Sequence, residues 1–364
     1  MPTHARVVVQ PVEPGPLQVR ELSLPDPGPY QVVVKQFASG VCHSQLHQMH
    51  RPRTTPLVLG HESIGVVTKT GSAVEHVKEG DTVFVTWVPR NVAQAARPPQ
   101  GAKLELPEGT VAQSQAVFTW ADHTIADEEY IVKAPEGTSK DVLAIIGCAI
   151  MTGAGAVIHT AGVRRNDSVA IFGAGGVGLA AIAAARRVGA YPIIAVDLDE
   201  TKLEFAKKFG ATVGVNASKE DPVARIHALT PHPGEYDARG NQRSGVDYAF
   251  DCIGVRTTME QLLPSVRGGT LGRNCGGTAV LVGVPTTPME IQASDLLVNE
   301  KRYIGSIGGS CVPERDFAEF TRWYQQGDLD LDSFVTARYT IDQINEATDA
   351  LEHGRIMGRA ILTF

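Results

Sequence analysis

Within six consecutive positions the chain sets a thiol, a hydroxyl and two imidazoles: Cys42, His43, Ser44 and His47, in Gly40-Val-Cys-His-Ser-Gln-Leu-His-Gln-Met49. Further on, Leu59-Gly-His-Glu62 supplies another imidazole and a carboxylate, directly before the apolar run Ile64-Gly-Val-Val67. Thiolate and imidazole are the ligands zinc prefers. A hydroxyl beside an imidazole can carry a proton to or from a reacting group. If the fold brings the two stretches together, Cys42 and His61 can bind one metal ion, with Ser44 and His47 close by. Such a site still needs a third ligand, and a redox reaction needs a hydride carrier.

The carrier is written further along. Ser168-Val-Ala-Ile-Phe172 reads as a strand and leads into Gly173-Ala-Gly-Gly-Val-Gly178, which opens a helix of small apolar residues. Gly173, Gly175 and Gly178 have the GxGxxG spacing that lets a backbone approach a pyrophosphate at a helix N-terminus. Gly176 and Val177 complete that turn. Asp197 closes the next strand nineteen residues after Gly178, where an acid accepts hydrogen bonds from an adenosine ribose. Its charge repels a 2′-phosphate, which favours NAD over NADP. A candidate third ligand is Cys148 in Ile145-Ile-Gly-Cys-Ala149. A cysteine among apolar neighbours is as readily an inert core residue, so spacing alone leaves its role open.

These groups sit in two kinds of chain. The first 135 residues or so read as mostly β, with Val7–Val9, Gln31–Phe37, Glu62–Thr68 and Asp81–Trp87 as strands. The segment Pro89–Gln115 is rich in Pro, Ala, Gln and Gly and poor in large aliphatics, and reads as a surface loop or excursion. From Asp141 the pattern alternates strand and helix, with six strand-like runs: Ser168–Phe172, Pro192–Val196, Thr212–Val215, Asp247–Phe250, Ala279–Val282 and Arg302–Ser306. That alternation predicts a doubly wound parallel sheet of α/β class. Helices over Pro313–Gln326 and Ile341–His353 precede a last strand, Ala360–Phe364, expected to rejoin the first part. The expected division is 1–150, 151–306 and a C-terminal return over 307–364.

Composition excludes several classes. At 364 residues and 20% charged the chain is globular, and its net charge of -7 argues against nucleic acid or an anionic membrane as partner. No signal peptide is visible, and the apolar run Val169–Ala185 carries four glycines and is short of a membrane span. The five cysteines are scattered, which suits free thiols or metal ligands in a cytoplasmic protein.

In combination, Gly40-Val-Cys-His-Ser44, Gly60-His-Glu62, Gly147-Cys148 with Thr152-Gly153, the loop Gly173–Gly178, Asp251-Cys-Ile-Gly254, Leu281-Val-Gly-Val-Pro285 and Arg359–Phe364 resemble the zinc-dependent alcohol dehydrogenases of the medium-chain dehydrogenase/reductase superfamily. The resemblance runs over nearly the whole chain. It implies a GroES-like β-rich catalytic domain and a Rossmann coenzyme domain. It implies that Cys42, His61 and Cys148 bind one catalytic zinc, a set already known from alcohol dehydrogenase, with Glu62 beside it as an alternate ligand. Ser44 takes the alcohol proton and passes it by way of the nicotinamide ribose to His47. His43 and Arg359 contact the pyrophosphate, Asp197 and Lys202 the adenosine ribose, and Thr152 and Val284 the nicotinamide. Trp87 and Trp120 match substrate-pocket positions, which favours apolar or aromatic alcohols.

The implied reaction is reversible oxidation of a primary or secondary alcohol with NAD, by a homodimer or homotetramer acting on a small molecule. A zinc-free enone or quinone reductase on the same scaffold, and a non-catalytic NAD(H)-binding protein, are the alternatives. The chain departs from the family at two points. Pro89–Gln115, where many members hold a structural zinc on four cysteines, has none, so no structural zinc is expected. Gln45 stands where the family commonly has an acid that orients the zinc-binding imidazole. A neutral amide there stabilises the imidazole less. The stretch Gly268–Gly277 is longer than the usual turn and has no assigned role.

Overall fold

The computed structural model describes residues 3–138, 140–270 and 276–364. The middle of the long turn, residues 271–275 with Cys275, lies outside the described residues. The chain forms two compact units, Met1–Met151 with Val312–Phe364, and Thr152–Cys311. The second unit therefore runs to Cys311 rather than to 306, because the short 3-10 turn Gly308–Ser310 stays with it.

The first unit is built from β1 (Thr3–Gln10), β2 (Gln18–Leu24), β3 (Gln31–Val41), β4 (Leu57–Val58), β5 (Glu62–Thr70), β6 (Thr82–Thr86), β7 (Lys103–Glu105), β8 (Val111–Gln113), β9 (His123–Asp127) and β10 (Ile131–Lys133). One sheet runs β2-β1-β4-β8-β7. In the other, β3 is the hub and pairs antiparallel with β5 and β9. Valines such as Val32, Val33 and Val34 are buried on both faces of β3, which explains its near-continuous apolar sequence.

Pro89–Gln115 corrects the loop expectation. Its β7 and β8 form an antiparallel pair, and β8 joins β4 through Leu57 and Gln113. Ala102, Leu104, Leu106 and Ala112 enter the core. Lys103-Leu104-Glu105 does alternate exposed, buried, exposed, but three residues are too few for that period to stand out from a Pro- and Ala-rich background. The segment is also fastened by charge. Arg97 makes a two-pronged bond to the buried Asp127 at 2.7 and 3.0 Å, and the Gln100 N–H donates to the same carboxylate at 3.0 Å. The Arg97 guanidinium lies 4.2 Å from the centre of the Tyr30 ring.

The second unit carries β11 (Val169–Phe172), β12 (Ile193–Asp197), β13 (Val213–Asn216), β14 (Pro231–Tyr236), β15 (Gln242–Ser244), β16 (Tyr248–Asp251), β17 (Thr278–Leu281) and β18 (Arg302–Gly305). Six of them form one parallel sheet ordered β13-β12-β11-β16-β17-β18. Counted by chain order this is 3-2-1-4-5-6, the dinucleotide-binding arrangement, whose order reverses at β11 and so opens a crevice at its C-terminal end. The exposed hairpin β14–β15 was not foreseen. Its Pro, Gly and charged residues carry no apolar alternation.

The chain then returns to the first unit. The helix Pro313–Gln326 leads to β19 (Val335–Thr340) and, after the helix Ile344–Glu352, to β20 (Arg359–Thr363). β20 pairs antiparallel with β3, setting Ala360 opposite Val41 and Ile361 opposite Gly40. The final strand thus lands next to the residues that precede Cys42. Among the described residues no single helix is long and apolar enough to cross a membrane.

We predict that Arg97→Ala, which strands the buried Asp127 carboxylate, costs about 3 kcal/mol of stability. It should also speed proteolytic cleavage within residues 89–115. A denaturation midpoint unchanged from the parent would show that packing of β7 and β8 alone holds the segment.

Candidate active site

β3 ends at Val41 and a short helix, His43–Met49, begins two residues later. Cys42 occupies the junction in extended backbone and is buried. Across β3, the first residue of β5 is Glu62, so His61 falls at the same end of the sheet. Cys148 follows a buried 3-10 segment, Asp141–Gly147, that packs against β3 and β5. That segment is fixed to β6 by the Thr86 hydroxyl, which donates to the Gly147 carbonyl at 2.7 Å. Ligand atoms of Cys42, His61, Glu62 and Cys148 all lie within 4.8 Å of one another, and all four residues are buried. Three segments far apart in sequence thus deliver two thiols, an imidazole and a carboxylate to one place.

Electrostatics separate their roles. Glu62 is 0% exposed and is paired with Arg359, the first residue of β20 and itself buried. The second Glu62 oxygen accepts from the Ala149 N–H at 3.3 Å. A carboxylate in that position would be too costly without such partners. The Cys42 thiol is held well below its ordinary range by its hydrogen bond with Cys148 and by the nearby Arg359 charge, against the upward push of burial. A thiolate is the form that binds a metal. His61 has its Nδ1 2.6 Å from Gln45 Nε2, while its Nε2 is buried without a hydrogen-bond partner. An orphaned buried ring nitrogen between two sulfurs and a carboxylate is what a metal would satisfy. The donor set fits zinc.

Two glycines make this arrangement possible. A Cβ at Gly40 would meet Glu62 Oε1 at 2.3 Å. Gly60 has φ +91°, and a Cβ there would lie 2.4 Å from the Trp120 nitrogen. Either substitution would push the carboxylate or the His61 segment out of place.

The remaining residues of the first unit fall as follows. Ser44 is partly buried, with its hydroxyl 3.4 Å from Cys42 Sγ. His47 lies three residues on along the same helix and is partly exposed, and His43 is exposed. Trp87 is partly exposed, and its indole N–H is buried with no partner. Trp120 corrects the pocket expectation. It is 0% exposed, sits in the core with Val41, Leu46, Leu59 and Leu362, and donates through Nε1 to the Gly40 carbonyl at 3.0 Å. Its size and its need for a buried acceptor are met inside the sheet, where it braces Gly40. Arg359, which the resemblance sends to a pyrophosphate, has its guanidinium on Glu62.

Sequence reasoning passed over two polar braces of the same cluster. The Ser39 hydroxyl donates to the Glu62 carbonyl at 3.0 Å, and Thr119 Oγ1 lies 2.8 Å from it. Neither carries a motif, and only β3–β5 pairing reveals them.

In the second unit the helix Gly176–Val188 starts directly after β11 and the turn at Gly173. Gly173 has φ +95°, and a Cβ at Gly178 would stand 1.7 Å from the Gly173 carbonyl oxygen, so helix and turn close only around glycine. A Cβ at Gly175 would meet nothing within 4 Å, leaving open space above the helix N-terminus. Asp197 accepts from the Ala174 N–H at 2.8 Å and so ties β12 to the loop. Lys202 is partly buried on the following helix, Glu200–Phe209. Val284 is 42% exposed, and Thr152 is buried with its hydroxyl unpartnered. The buried Asp251 accepts from the Ile253 and Gly254 N–H groups at 3.1 and 2.9 Å, shaping the turn after β16. Burial pushes its carboxyl above the usual range.

Comparisons agree with both halves. The zinc-binding dehydrogenase family matches residues 176–326, and the alcohol dehydrogenase GroES-like domain matches 28–136. The chain is 30% identical to the alcohol dehydrogenase class-3 of Cereibacter sphaeroides, over 100% of both chains. It is 31% identical to an S-(hydroxymethyl)glutathione dehydrogenase of Escherichia coli, over 94% of this chain and 95% of that one. The crystal structure of benzyl alcohol dehydrogenase from Acinetobacter calcoaceticus superposes with a TM-score of 0.84 at 29% identity, covering 100% of this chain and 99% of that one.

We predict that Gly178→Val forces the loop apart at a cost of about 1–3 kcal/mol and abolishes the thermal shift given by NAD. Metal content should stay at the parent level. A preserved NAD shift would mean that the nucleotide does not use this loop.

Proposed function

The chain belongs to the zinc-dependent alcohol dehydrogenases of the medium-chain dehydrogenase/reductase superfamily, and we propose that it oxidises apolar or aromatic alcohols with NAD. The observation that carries this reading is the unpartnered, buried His61 Nε2 beside the Cys42 and Cys148 sulfurs. Cys42, His61 and Cys148 would hold the zinc, which would supply a Lewis acid for the substrate oxygen, and the Gly173–Gly178 loop would hold NAD, which would supply the hydride acceptor.

The protein's own groups do the rest. The Ser44 hydroxyl, beside Cys42, removes the alcohol proton and releases it toward His47. The imidazole is the side chain suited to exchange that proton with solvent near neutral pH. Glu62, compensated by Arg359, adds a carboxylate beside the two sulfurs and limits the positive charge of the site. Open space at Gly175 admits the pyrophosphate to the helix N-terminus, and the acid at Asp197 disfavours a 2′-phosphate. The apolar body of the half-buried Trp87 ring supports an apolar or aromatic substrate. The names of the Escherichia coli relatives support a second substrate class, the S-hydroxymethyl adduct of glutathione.

The test pairs zinc content of extensively dialysed protein with NAD-linked oxidation of benzyl alcohol, short alkanols and S-(hydroxymethyl)glutathione. We expect about one zinc per chain, activity lost on chelation and restored by zinc, and benzyl alcohol preferred. Preference for the glutathione adduct would move the assignment to the second class. Enone reduction by zinc-free protein would overturn the proposal.

Ser44→Ala is predicted to lower kcat about 100-fold or more with zinc content unchanged. Turnover equal to the parent would remove Ser44 from the proton path.

A further inference from the structure

The side chain of Gln45 is 1% exposed and is gripped at both ends. Its Oε1 accepts from the Gly60 N–H at 2.6 Å, and its Nε2 lies 2.6 Å from His61 Nδ1. A backbone N–H can only donate, so the amide atom facing Gly60 is the oxygen. The nitrogen then faces His61 and donates to Nδ1, which must offer a lone pair. A neutral ring with a bare Nδ1 carries its proton on Nε2, the nitrogen left without a hydrogen-bond partner in the cluster. A metal needs the lone pair on Nε2 and hence the proton on Nδ1. That proton would meet the N–H of the amide.

Turning the amide over relieves this contact and creates another, because its NH₂ then faces the Gly60 N–H. In either orientation the zinc-loaded site keeps one donor against a donor. A carboxylate in the same place accepts from Gly60 and His61 at once. We propose that Gln45 is a positioning residue that biases His61 toward the tautomer that does not ligate, so that this chain binds its zinc more weakly and exchanges it more readily than it would with an acid at position 45. The inference rests on the reading of Cys42, His61 and Cys148 as zinc ligands.

The full-length chain provides the test, with zinc affinity measured by competition against a chromophoric chelator. Gln45→Glu is close to isosteric and supplies the second acceptor; it should bind zinc about 10- to 100-fold more tightly. Gln45→Met removes the amide donor and should bind zinc no more weakly than the parent. A residue that merely braced the segment would lose affinity in Gln45→Met and gain none in Gln45→Glu. Nitrogen-15 chemical shifts of His61 in the parent give a reading that needs no variant. Nδ1 should be a bare acceptor in metal-free protein and protonated once zinc is added. An unchanged affinity in Gln45→Glu, a large loss in Gln45→Met, or a protonated Nδ1 in the metal-free parent would each overturn the inference. If the parent bound no zinc, the ligand assignment itself would fall, a result separate from any of these.

Discussion

A carboxylate with no access to water is buried in the first unit, and much of that unit can be read as its compensation. Glu62 begins β5, where its side chain lies over Gly40 with no room for a Cβ between them. Its charge is met by Arg359, 297 residues away in sequence, and by the Ala149 N–H. The pairing of β20 with β3 therefore does more than close a sheet. It delivers a cation that makes a buried acid tolerable and places that cation close enough to lower the Cys42 thiol. The same charge that permits the fold lowers the thiol of a candidate metal ligand.

The second unit solves a different problem with simpler means. A pyrophosphate is bound by backbone N–H groups at a helix N-terminus, so the requirement is closeness of backbone rather than an array of side chains. Gly173 and Gly178 allow the helix Gly176–Val188 to start against the end of β11, and Gly175 leaves the approach open. Asp197 ties β12 to the loop through Ala174 and so keeps the end of that strand in register with the glycine turn.

The Pro89–Gln115 segment is held to the first unit by side-chain contacts. Its fastenings are the Arg97–Asp127 fork, a small β-pair and the Arg97–Tyr30 contact. Arg90 and Asn91 add bonds to Glu314 at 2.8 and 2.9 Å, tying the segment to the returning helix.

Much of this was legible along the chain because its signals are local. The six parallel strands and their helices announced themselves by period, and the glycine loop by a spacing that only one conformation explains. The ligand types at Cys42, His61 and Cys148 were equally visible, though nothing in their spacing could bring them together. What the tertiary structure decided is everything that depends on a partner distant in sequence. Trp120 is a core brace because Gly40 offers its carbonyl. Arg359 belongs to Glu62 because β20 lands on β3. Leu104 is buried because β4 reaches β8. Gln45 faces His61 with its nitrogen because Gly60 claims its oxygen. Residue types and short-range periods are properties of the chain and survive unfolding. Burial, compensation of charge and the direction of a hydrogen bond exist only once strands have paired across long loops, and those set how the site works.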